Sequence, residues 1–402
     1  MKISDVYQAQ RRLSATVHHT AMPYSLTFST LSGNEVYLKS ENLQKTGSFK
    51  VRGAYNKIAK LSETQQLKTV VASSAGNHAQ GVAYAASERG IESVIVMPRS
   101  TPIAKVTATE NYGAQVILHG DCYDDAYCRA AEICRERQGV FIHPFDDEDI
   151  IAGQGTIALE IMEDEPGLDA IIVPAGGGGL LAGIAFAAKQ INPKIQVIGV
   201  QAERANPLVE SFKAKKLTNA ENIFTIADGI AVKNPGEIPF GYISRYVDTM
   251  MTVSDDDIAS TIIHLIERSK QIVEPAGAAS LALALSGALP YKNKKIACVL
   301  SGGNIDVGFI HKIIEKGLVS RGRQMKFSVV LTDKPGSLSD FARIMAENSA
   351  NIISVQYDRM STELHLNETI LHIACEVGGF DHGKRVISNL EAQGYRVIFE
   401  QK

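Results

Sequence analysis

Short runs of β-branched residues alternate with helix-forming stretches between about residues 35 and 322 of the chain. This alternation predicts parallel strands joined by crossover helices. The predicted strands are residues 69–72, 94–97, 115–118, 170–173, 196–200 and 295–300. The predicted helices are residues 78–88, 124–137, 156–163 and 276–289, the last almost wholly apolar and therefore fully buried. Because the strands outnumber those that one sheet readily orders, we expect two α/β lobes with a cleft between them.

A second pattern begins after residue 323. Strand-like runs at residues 326–331, 351–357, 369–376 and 395–400 flank two helical stretches, the second at residues 381–393. The order β-α-β-β-α-β predicts a ferredoxin-like module. Ser337 followed by Asp340 predicts a capping box at the start of the first helix, and Gly394 predicts a C-terminal cap on the second. We therefore divide the chain into residues 1–320, a linker at 321–325 and a separate domain at 326–402.

The composition is that of a packed globular protein, with 45% hydrophobic and 21% charged residues among 402. Lysine and arginine number 41 against 44 acidic residues, a net charge of -3, and no basic run would hold a polyanion. Nucleic acid is therefore not an expected partner. The five cysteines form no CxxC pair, which favours reduced thiols over a zinc site.

Nothing in the sequence predicts export or insertion into a membrane. Residues 1–20 contain no apolar run of signal-peptide length, so we expect a cytoplasmic protein. Residues 170–188 carry no charge, but Pro174 and four successive glycines interrupt them. A strand, a glycine turn and a buried helix explain this stretch better than a membrane span does.

The glycine run 176–179 follows a predicted strand and precedes an apolar helix. Successive glycines let backbone N–H groups converge on a ligand, and a helix N-terminus adds partial positive charge, so the run predicts a phosphate-binding loop. A flexible linker would not lie between two buried elements. Gly177, Gly179 and Ala182 also satisfy G-x-G-x-x-A, with Glu203 at the end of the next strand, which is typical of dinucleotide binding. The glycine run alone does not separate these two interpretations.

Three further segments share the chemistry of a cofactor site. Residues 45–53 read KTGSFKVRG and place Lys50 at a helix start. Residues 73–80 (SSAGNHAQ) and 301–304 (SGGN) each follow a predicted strand, where α/β proteins bind ligands. A single helical lysine is usually solvated, and His78 alone would more often be structural than catalytic. Together with the glycine run, however, these segments predict a phosphorylated cofactor bonded to the lysine amine.

Five ordered motifs resemble those of the threonine dehydratases (threonine ammonia-lyases), which are fold-type-II pyridoxal-phosphate enzymes. They are KTGSFKVRGA, SSAGNHAQGVA, HPFDD with AGQGT, PAGGGGLLAG and SGGN. The resemblance covers roughly residues 5–320 and implies a two-lobed, tryptophan synthase β-like catalytic domain. Residues 326–402, with DKPGSL at the first turn, resemble an ACT regulatory domain.

The resemblance implies roles for individual residues. Lys50 would bond to pyridoxal 5'-phosphate and act as the catalytic base. The other cofactor-binding residues would be Phe49 beside the ring, Asn77 at its phenolic oxygen, Gly176, Gly177, Gly178, Gly179 and Leu180 at the phosphate, and Ser301 at the pyridine nitrogen. The substrate carboxylate would be bound by the SAGN backbone, Ser74 and His78, with Gln154 and Gly155 nearby.

The implied reaction is the elimination of water from L-threonine, giving 2-oxobutanoate and ammonia, with L-serine as a second substrate. Desolvation would lower the pKa of the Lys50 amine and so let it accept the α-proton. The cofactor phosphate would protonate the departing hydroxyl. The neutral Ser301 would leave the ring nitrogen unprotonated and so favour elimination.

Two departures from related families bear on this interpretation. Serine racemases carry a second serine where Ala75 stands, so a lyase is favoured over a racemase. Related enzymes that bind a divalent ion have acids where this chain has Gln201 and Pro207, so metal binding stays undetermined, although Glu203 remains available.

The ACT resemblance implies an amino-acid effector, isoleucine or valine, bound near Lys334, Pro335, Gly336 and Asn351. It also implies a homo-oligomer, a dimer or tetramer. Alternatives from the residues are another β-elimination enzyme such as a serine dehydratase or a serine racemase-like enzyme, a nicotinamide-linked oxidoreductase, and a non-catalytic amino-acid sensor. The sequence does not distinguish isoleucine biosynthesis from threonine catabolism.

Overall fold

The computed structural model describes residues 1–359 and 365–399 and forms two compact units, Met1–Asp306 and Val307–Lys402. The sequence predicted a linker at residues 321–325, whereas the units divide before helix Val307–Ser320. Within the second unit, Glu315 on this helix pairs with Lys326 at 3.7 Å. The helix therefore belongs with the strand that follows it.

Fifteen α-helices and thirteen strands lie within the described residues. The helices are α1 (Ile3–Leu13), α2 (Leu26–Ser32), α3 (Lys50–Thr64), α4 (Asn77–Ser87), α5 (Ile103–Glu110), α6 (Tyr123–Glu136), α7 (Glu148–Asp164), α8 (Gly179–Ile191), α9 (Pro207–Ala214), α10 (Glu237–Tyr246), α11 (Asp255–His264), α12 (Pro275–Leu285), α13 (Val307–Ser320), α14 (Ser337–Glu347) and α15 (Phe380–Ala392). The strands are β1 (Glu35–Lys39), β2 (Thr69–Ser73), β3 (Glu92–Met97), β4 (Gln115–Leu118), β5 (Val140–Phe141), β6 (Ala170–Pro174), β7 (Gln196–Ala202), β8 (Thr249–Val253), β9 (Lys295–Val299), β10 (Gln324–Thr332), β11 (Asn351–Asp358), β12 (Glu368–Glu376) and β13 (Arg396–Ile398). Glu41–Leu43 and Asp228–Ile230 are 3₁₀ turns, and Leu265–Ser269 is a π turn.

The first unit contains two parallel sheets, which are the two α/β lobes predicted from the strand count. One has the strand order β1-β9-β6-β7-β8 and the other β4-β3-β2-β5. Every residue of β2 and β6 is buried, as expected for parallel strands covered by helices on both faces. The uncharged stretch 170–188 forms β6, the glycine turn and the buried helix α8, as predicted. No helix in the described ranges is long and apolar enough to cross a membrane.

Two predicted helix boundaries differ from the structure. Helix α7 begins at Glu148, well before the predicted start at residue 156, because the Asp147 side chain caps it by accepting from Asp149 N and Ile150 N. Helix α12 ends at Leu285 rather than at residue 289, since Gly287 has a φ of +78°. Its residues up to Ala284 are buried, as predicted for this apolar helix.

The second unit has the predicted order β-α-β-β-α-β in an antiparallel sheet, β11-β12-β10-β13. The predicted capping box is wrong, because Gly336, with a φ of +95°, is the N-cap of α14 and Ser337 is already helical. Gly394 does terminate α15, with a φ of +87°. Glu400, the predicted end of the last strand, lies outside the described residues.

Candidate active site

The segment that carries Lys50 is tied to the loop after β9. The backbone N–H of Phe49 donates to Ser301 O at 3.1 Å, and Ser48 forms an antiparallel bridge with Gly302. Lys50 is the first residue of α3, so its position follows from these contacts one and two residues before it. The structure therefore brings Lys50, Phe49 and Ser301 together at the carboxyl end of a parallel strand, where α/β proteins bind ligands.

The Lys50 side chain is half-buried, and its amine lies against protein groups. Its Nζ donates to Pro144 O at 3.0 Å and lies 5.3 Å from the centre of the Phe49 ring. Burial lowers the pKa of this amine to about 8, although the negative charge of Glu274 acts in the opposite direction. A substantial fraction of the amine is therefore neutral near physiological pH, which suits a nucleophile or a base.

A chain of side-chain amides and a carboxylate adjoins the lysine. Asn77, the first residue of α4, donates from Nδ2 to Glu274 Oε1 at 2.8 Å. Its Oδ1 accepts from Asn304 Nδ2, also at 2.8 Å. Burial raises the pKa of Glu274 to about 7, against the lowering effects of the Asn77 hydrogen bond and of the positive charges of Lys105 and Lys50.

Sequence reasoning did not identify Glu274 or assign a role to Asn304. A proline that opens an apolar helix marks the residue before it as the helix N-cap. Glu274 is the N-cap of α12, yet its side chain makes no capping hydrogen bond. The available signal was an acid at the start of a buried, almost wholly apolar helix.

The glycine run forms a tight loop between β6 and α8. A side chain at Gly177 would overlap the Phe145 ring, and Gly178 has a φ of +98°. Within the part of the chain that the structure describes, the N–H groups of Gly176, Gly177 and Gly178 donate no hydrogen bond to a backbone oxygen. Free N–H groups at a helix N-terminus suit a phosphate.

The remaining predicted phosphate-binding residues lie at the start of the helix that follows. Gly179 and the buried Leu180 are the first two residues of α8. A side chain at Gly179 would lie 3.0 Å from Phe145 Cβ, and Pro144, next to Phe145, accepts the hydrogen bond from Lys50. The glycine loop and Lys50 are therefore neighbours through the 144–145 segment.

Ser74 and His78 lie at the turn into α4, but His78 is not positively charged. His78 is 3% exposed, and its Nε2 donates to Ile142 O at 2.8 Å. Burial, followed by the positive charge of Lys50, lowers the pKa of His78 to about 3. Ser74 Oγ accepts from Gly76 N at 3.2 Å. A carboxylate at this turn would therefore meet neutral groups and the N-terminus of α4.

Gln154 and Gly155 lie on α7, where glycines let helices approach closely. A side chain at Gly155 would lie 3.0 Å from Gly183 O on α8, so Gly155 faces that helix and is not brought to Lys50. Gln154 is 1% exposed and its amide lies against Gly53 of α3. Its buried Oε1 has no hydrogen-bond partner among the residues that the structure describes. The AGQGT run therefore serves helix packing, and Gln154 of α7 lies against Gly53, which is about one turn from Lys50 along α3.

The four residues predicted to bind an effector do not lie together in one chain. Lys334, Pro335 and Gly336 are exposed and follow the end of β10 at Thr332. Asn351 pairs with Glu376, which aligns with Gln324 at the opposite end of β10. The register thus separates Asn351 from the turn by the length of the strand, about 3.3 Å per residue.

The loop after β7 offers few metal ligands. Gln201 is fully buried, with its Oε1 accepting from Val209 N at 3.0 Å, and Glu203 is exposed. In residues 1–359 and 365–399, no group of three or more His, Cys, Asp or Glu side chains is arranged to hold a metal ion.

Comparison with known proteins gives consistent results. A family model described as pyridoxal-phosphate-dependent enzyme matches residues 13–302. The chain is 47% identical over 395 residues to an L-threonine ammonia-lyase of Thermotoga maritima, covering 98% of each protein. The structure of a processed threonine deaminase isoform from Solanum lycopersicum is 34% identical, with a TM-score of 0.73, over 78% of this chain and 89% of that one. A maize serine racemase structure is 36% identical, with a TM-score of 0.75, over 79% of this chain and 98% of that one.

Proposed function

The chain belongs to the family of pyridoxal-phosphate-dependent enzymes, and we propose that it is an L-threonine ammonia-lyase that forms 2-oxobutanoate and ammonia. The observation that carries the assignment is the amine of Lys50, whose pKa burial lowers to about 8 and which donates to Pro144 O in the loop after β5. The segment that carries it is tied to the loop after β9 through the hydrogen bond from Phe49 N to Ser301 O. The near full-length identity to a threonine ammonia-lyase supports threonine as substrate. L-Serine, which lacks only the methyl group, is a second proposed substrate.

The residues present fit pyridoxal phosphate. The N–H groups of Gly176, Gly177 and Gly178, which donate to no backbone oxygen among the described residues, would hold the phosphate together with Gly179 and Leu180 at the start of α8. Phe49 and Asn77 would contact the ring and its phenolic oxygen, and Ser301 the ring nitrogen. When bound, the cofactor supplies an electron sink for charge that develops at the substrate α-carbon.

Lys50 has the properties required of the base. Because burial disfavours its charged form, the amine can accept the α-proton near neutral pH. The hydrogen bond to Pro144 O holds Nζ next to residues 144–145, which also contact the glycine loop. A neutral Ser301, in place of an acid, would leave the ring nitrogen without a proton donor of matching strength and so favour elimination.

The substrate carboxylate is proposed to bind at the turn into α4. Backbone N–H groups and the partial positive charge at this helix N-terminus favour an anion. Ser74 contributes a hydroxyl, and His78 contributes a neutral imidazole whose Nε2 is already committed to Ile142 O. Gln154, whose amide lies against Gly53 of α3, is proposed to lie near the bound substrate.

We propose that residues 326–402, within the second unit, are an ACT regulatory domain that follows a catalytic domain formed by the first unit, Met1–Asp306. The β-α-β-β-α-β order supports this, as does the coverage of 98% of the Thermotoga relative, which extends beyond the catalytic match. Isoleucine or valine is the proposed effector. Since Asn351 and the 334–336 turn lie at opposite ends of β10, a single site that uses both would require two copies, consistent with a dimer or tetramer.

The metabolic setting is proposed as cytoplasmic, either in isoleucine biosynthesis or in threonine catabolism. All five cysteines are free, and Cys122 and Cys128 are also exposed, which suits a reducing compartment. Inhibition by isoleucine would favour the biosynthetic role.

A serine racemase-like activity is the second candidate, because maize serine racemase has the same fold at 36% identity. Ala75 argues against it, since a methyl group offers no acid or base on the opposite face of the substrate. Assaying L-threonine turnover beside D-serine formation distinguishes the two.

Borohydride reduction of the loaded protein followed by peptide mapping tests the assignment directly. We expect the reduced cofactor on Lys50, and we expect Lys50→Ala to lose both the visible absorbance and threonine turnover. Lys60→Ala is the matched control, since Lys60 lies on the same helix but pairs with Asp149 at the surface. A label on another lysine, or a coloured and active Lys50→Ala protein, would overturn the assignment.

A further inference from the structure

Glu274 brings a carboxylate into the centre of the proposed cofactor site. It is 9% exposed, its backbone N–H donates to Gly302 O at 3.0 Å, and its Oε1 accepts from Asn77 Nδ2 at 2.8 Å. A side chain at Gly302 would overlap Oε1 and lie 3.1 Å from Asn77 Nδ2. The loop after β9 is therefore shaped around the Glu274–Asn77 pair.

The backbone carbonyl of Thr46 fixes the orientation of the Asn77 amide through Asn304. Thr46 O can only accept, and it accepts from Asn304 Nδ2 at 2.7 Å. The same Nδ2 donates to Asn77 Oδ1. The Asn77 oxygen must therefore face Asn304, and its Nδ2 must face Glu274. An ionised carboxylate matches this arrangement because it accepts and cannot donate.

We propose that Glu274 is a positioning residue that, together with Asn304, locks the Asn77 amide in one orientation. In that orientation one Nδ2 proton is hydrogen-bonded to the Glu274 carboxylate, and the other is directed to the phenolic oxygen of the cofactor ring. This inference rests on the cofactor role proposed for Asn77. A helix-capping role does not account for Glu274, whose side chain makes no capping hydrogen bond to α12. Without the Glu274 carboxylate, one N–H of Asn77 would lose its hydrogen-bond acceptor, and the amide would lose its fixed orientation.

Two substitutions of similar size separate hydrogen bonding from charge. Glu274→Gln retains an acceptor oxygen, so we expect pyridoxal phosphate to bind within about threefold of the native affinity, the range of a small change in one hydrogen bond. Glu274→Leu removes the acceptor, and we expect binding at least about tenfold weaker, the effect of one unsatisfied buried donor. Asp228→Asn is the control, because the charge of Asp228 acts on Glu274 while the acceptor for Asn77 Nδ2 is Glu274 itself.

Titration of the cofactor-free chains with pyridoxal phosphate measures these affinities. Native binding by Glu274→Leu would overturn the proposal. A Gln variant as weak as the Leu variant would overturn it too, since charge and not an acceptor would then be required. Where Glu274→Leu does not fold, Asn304→Ser removes the lock from the other side, with the same tenfold expectation and the same contrary result.

A double-mutant cycle tests the pair without the cofactor. The thermal midpoints of cofactor-free Glu274→Leu, Asn77→Ala and the double variant should be non-additive, with a smaller loss in the double variant than the two single losses summed. Additive losses would overturn the positioning role. Absence of both cofactor binding and threonine turnover in the native chain would refute the proposed function instead, while the cycle still decides whether Glu274 holds Asn77.

Discussion

Lys50 donates a hydrogen bond of 3.0 Å from Nζ to the carbonyl oxygen of Pro144, the residue directly before the phenylalanine that covers the glycine loop. One short segment therefore contacts both the reactive amine and the proposed phosphate site. The groups whose charges act on this amine are few. Glu274 raises the pKa of Lys50, and the nearby His78 and His143 have lowered pKa values and remain largely neutral near pH 7.

The first prediction concerns the pH dependence of threonine turnover. Because the neutral amine is the base, kcat/KM should rise with pH through the pKa of Lys50, about 8. Glu274→Gln removes the charge that raises this pKa, so the rising limb should move to lower pH. A pH–rate profile of both proteins tests this, and a limb that stays in place after the substitution would contradict the coupling.

The same pKa shift predicts a change in stability of the cofactor-free chain. Between pH 8 and the ordinary lysine value of 10.5, the unfolded chain binds the proton that folded Lys50 has released. The contribution of this residue to the free energy of unfolding therefore increases with pH across that window. Urea unfolding at pH 8 and 10 should show a larger gain for the native chain than for Lys50→Met, in which this titration is absent.

The third prediction concerns the packing of the glycine loop. Gly177→Ala would drive a methyl group into the Phe145 ring, so either the ring or the loop must move. We expect cofactor affinity to fall by about tenfold or more, as for the loss of a well-placed hydrogen bond. Gly241→Ala in α10 is the control, because a side chain there meets no atom within 4 Å. Equal cofactor affinity in both variants would show that Gly177 is replaceable.

The fourth prediction concerns the buried ion cluster behind Lys50. Arg52, only 1% exposed, donates to both carboxylate oxygens of Glu160, at 2.6 and 2.9 Å, and to both of Glu41, each at 2.8 Å. Lys39 Nζ lies 2.7 Å from Glu160 as well. The cluster therefore balances two buried cations with two buried carboxylates and joins β1, α3 and α7.

Removing one carboxylate should leave a buried cation without its full compensation. We expect Glu160→Gln to lower the free energy of unfolding by about 3 kcal/mol or more, as for a broken buried pair. Denaturant unfolding measures this, with Glu136→Gln on the exposed Arg129 pair as the control, expected to leave the transition midpoint unchanged. A Glu160→Gln protein as stable as the control would show that the cluster contributes specificity and not stability.

Local sequence patterns were sufficient to predict the strands and the loops that follow them. Buried parallel strands such as β2 and β6 consist of β-branched runs, so their type and place follow from composition. The start of α7 was missed because glycines at 153 and 155 weaken the helical signal, whereas in the structure they allow contact with α3 and α8. Close helix packing of this kind depends on partners that a local pattern does not contain.

The site was predictable to the extent that each residue lies in a distinct motif. Lys50, Asn77 and the glycine run belong to such motifs, whereas Glu274 acquires its role only through a partner 197 positions earlier in the chain. Its sequence context favoured a helix cap. The position of Asn351 also depends on the fold. Asn351 lies in the same small domain as residues 334–336, but the strand register places it at the opposite end of β10 from that turn.

The last prediction concerns regulation by the second unit. We expect isoleucine or valine to change threonine turnover of the full chain, because an effector that binds two conformations unequally shifts their populations. Gly336, with a φ of +95°, shapes the turn at the start of α14, and Gly336→Ala should weaken the response at least about fivefold, a modest coupling energy. Gly394→Ala has the matching backbone strain, at a φ of +87°, without lying at that turn. If both variants lose the response equally, general destabilisation of the unit explains the effect, and if neither does, the turn takes no part in effector binding.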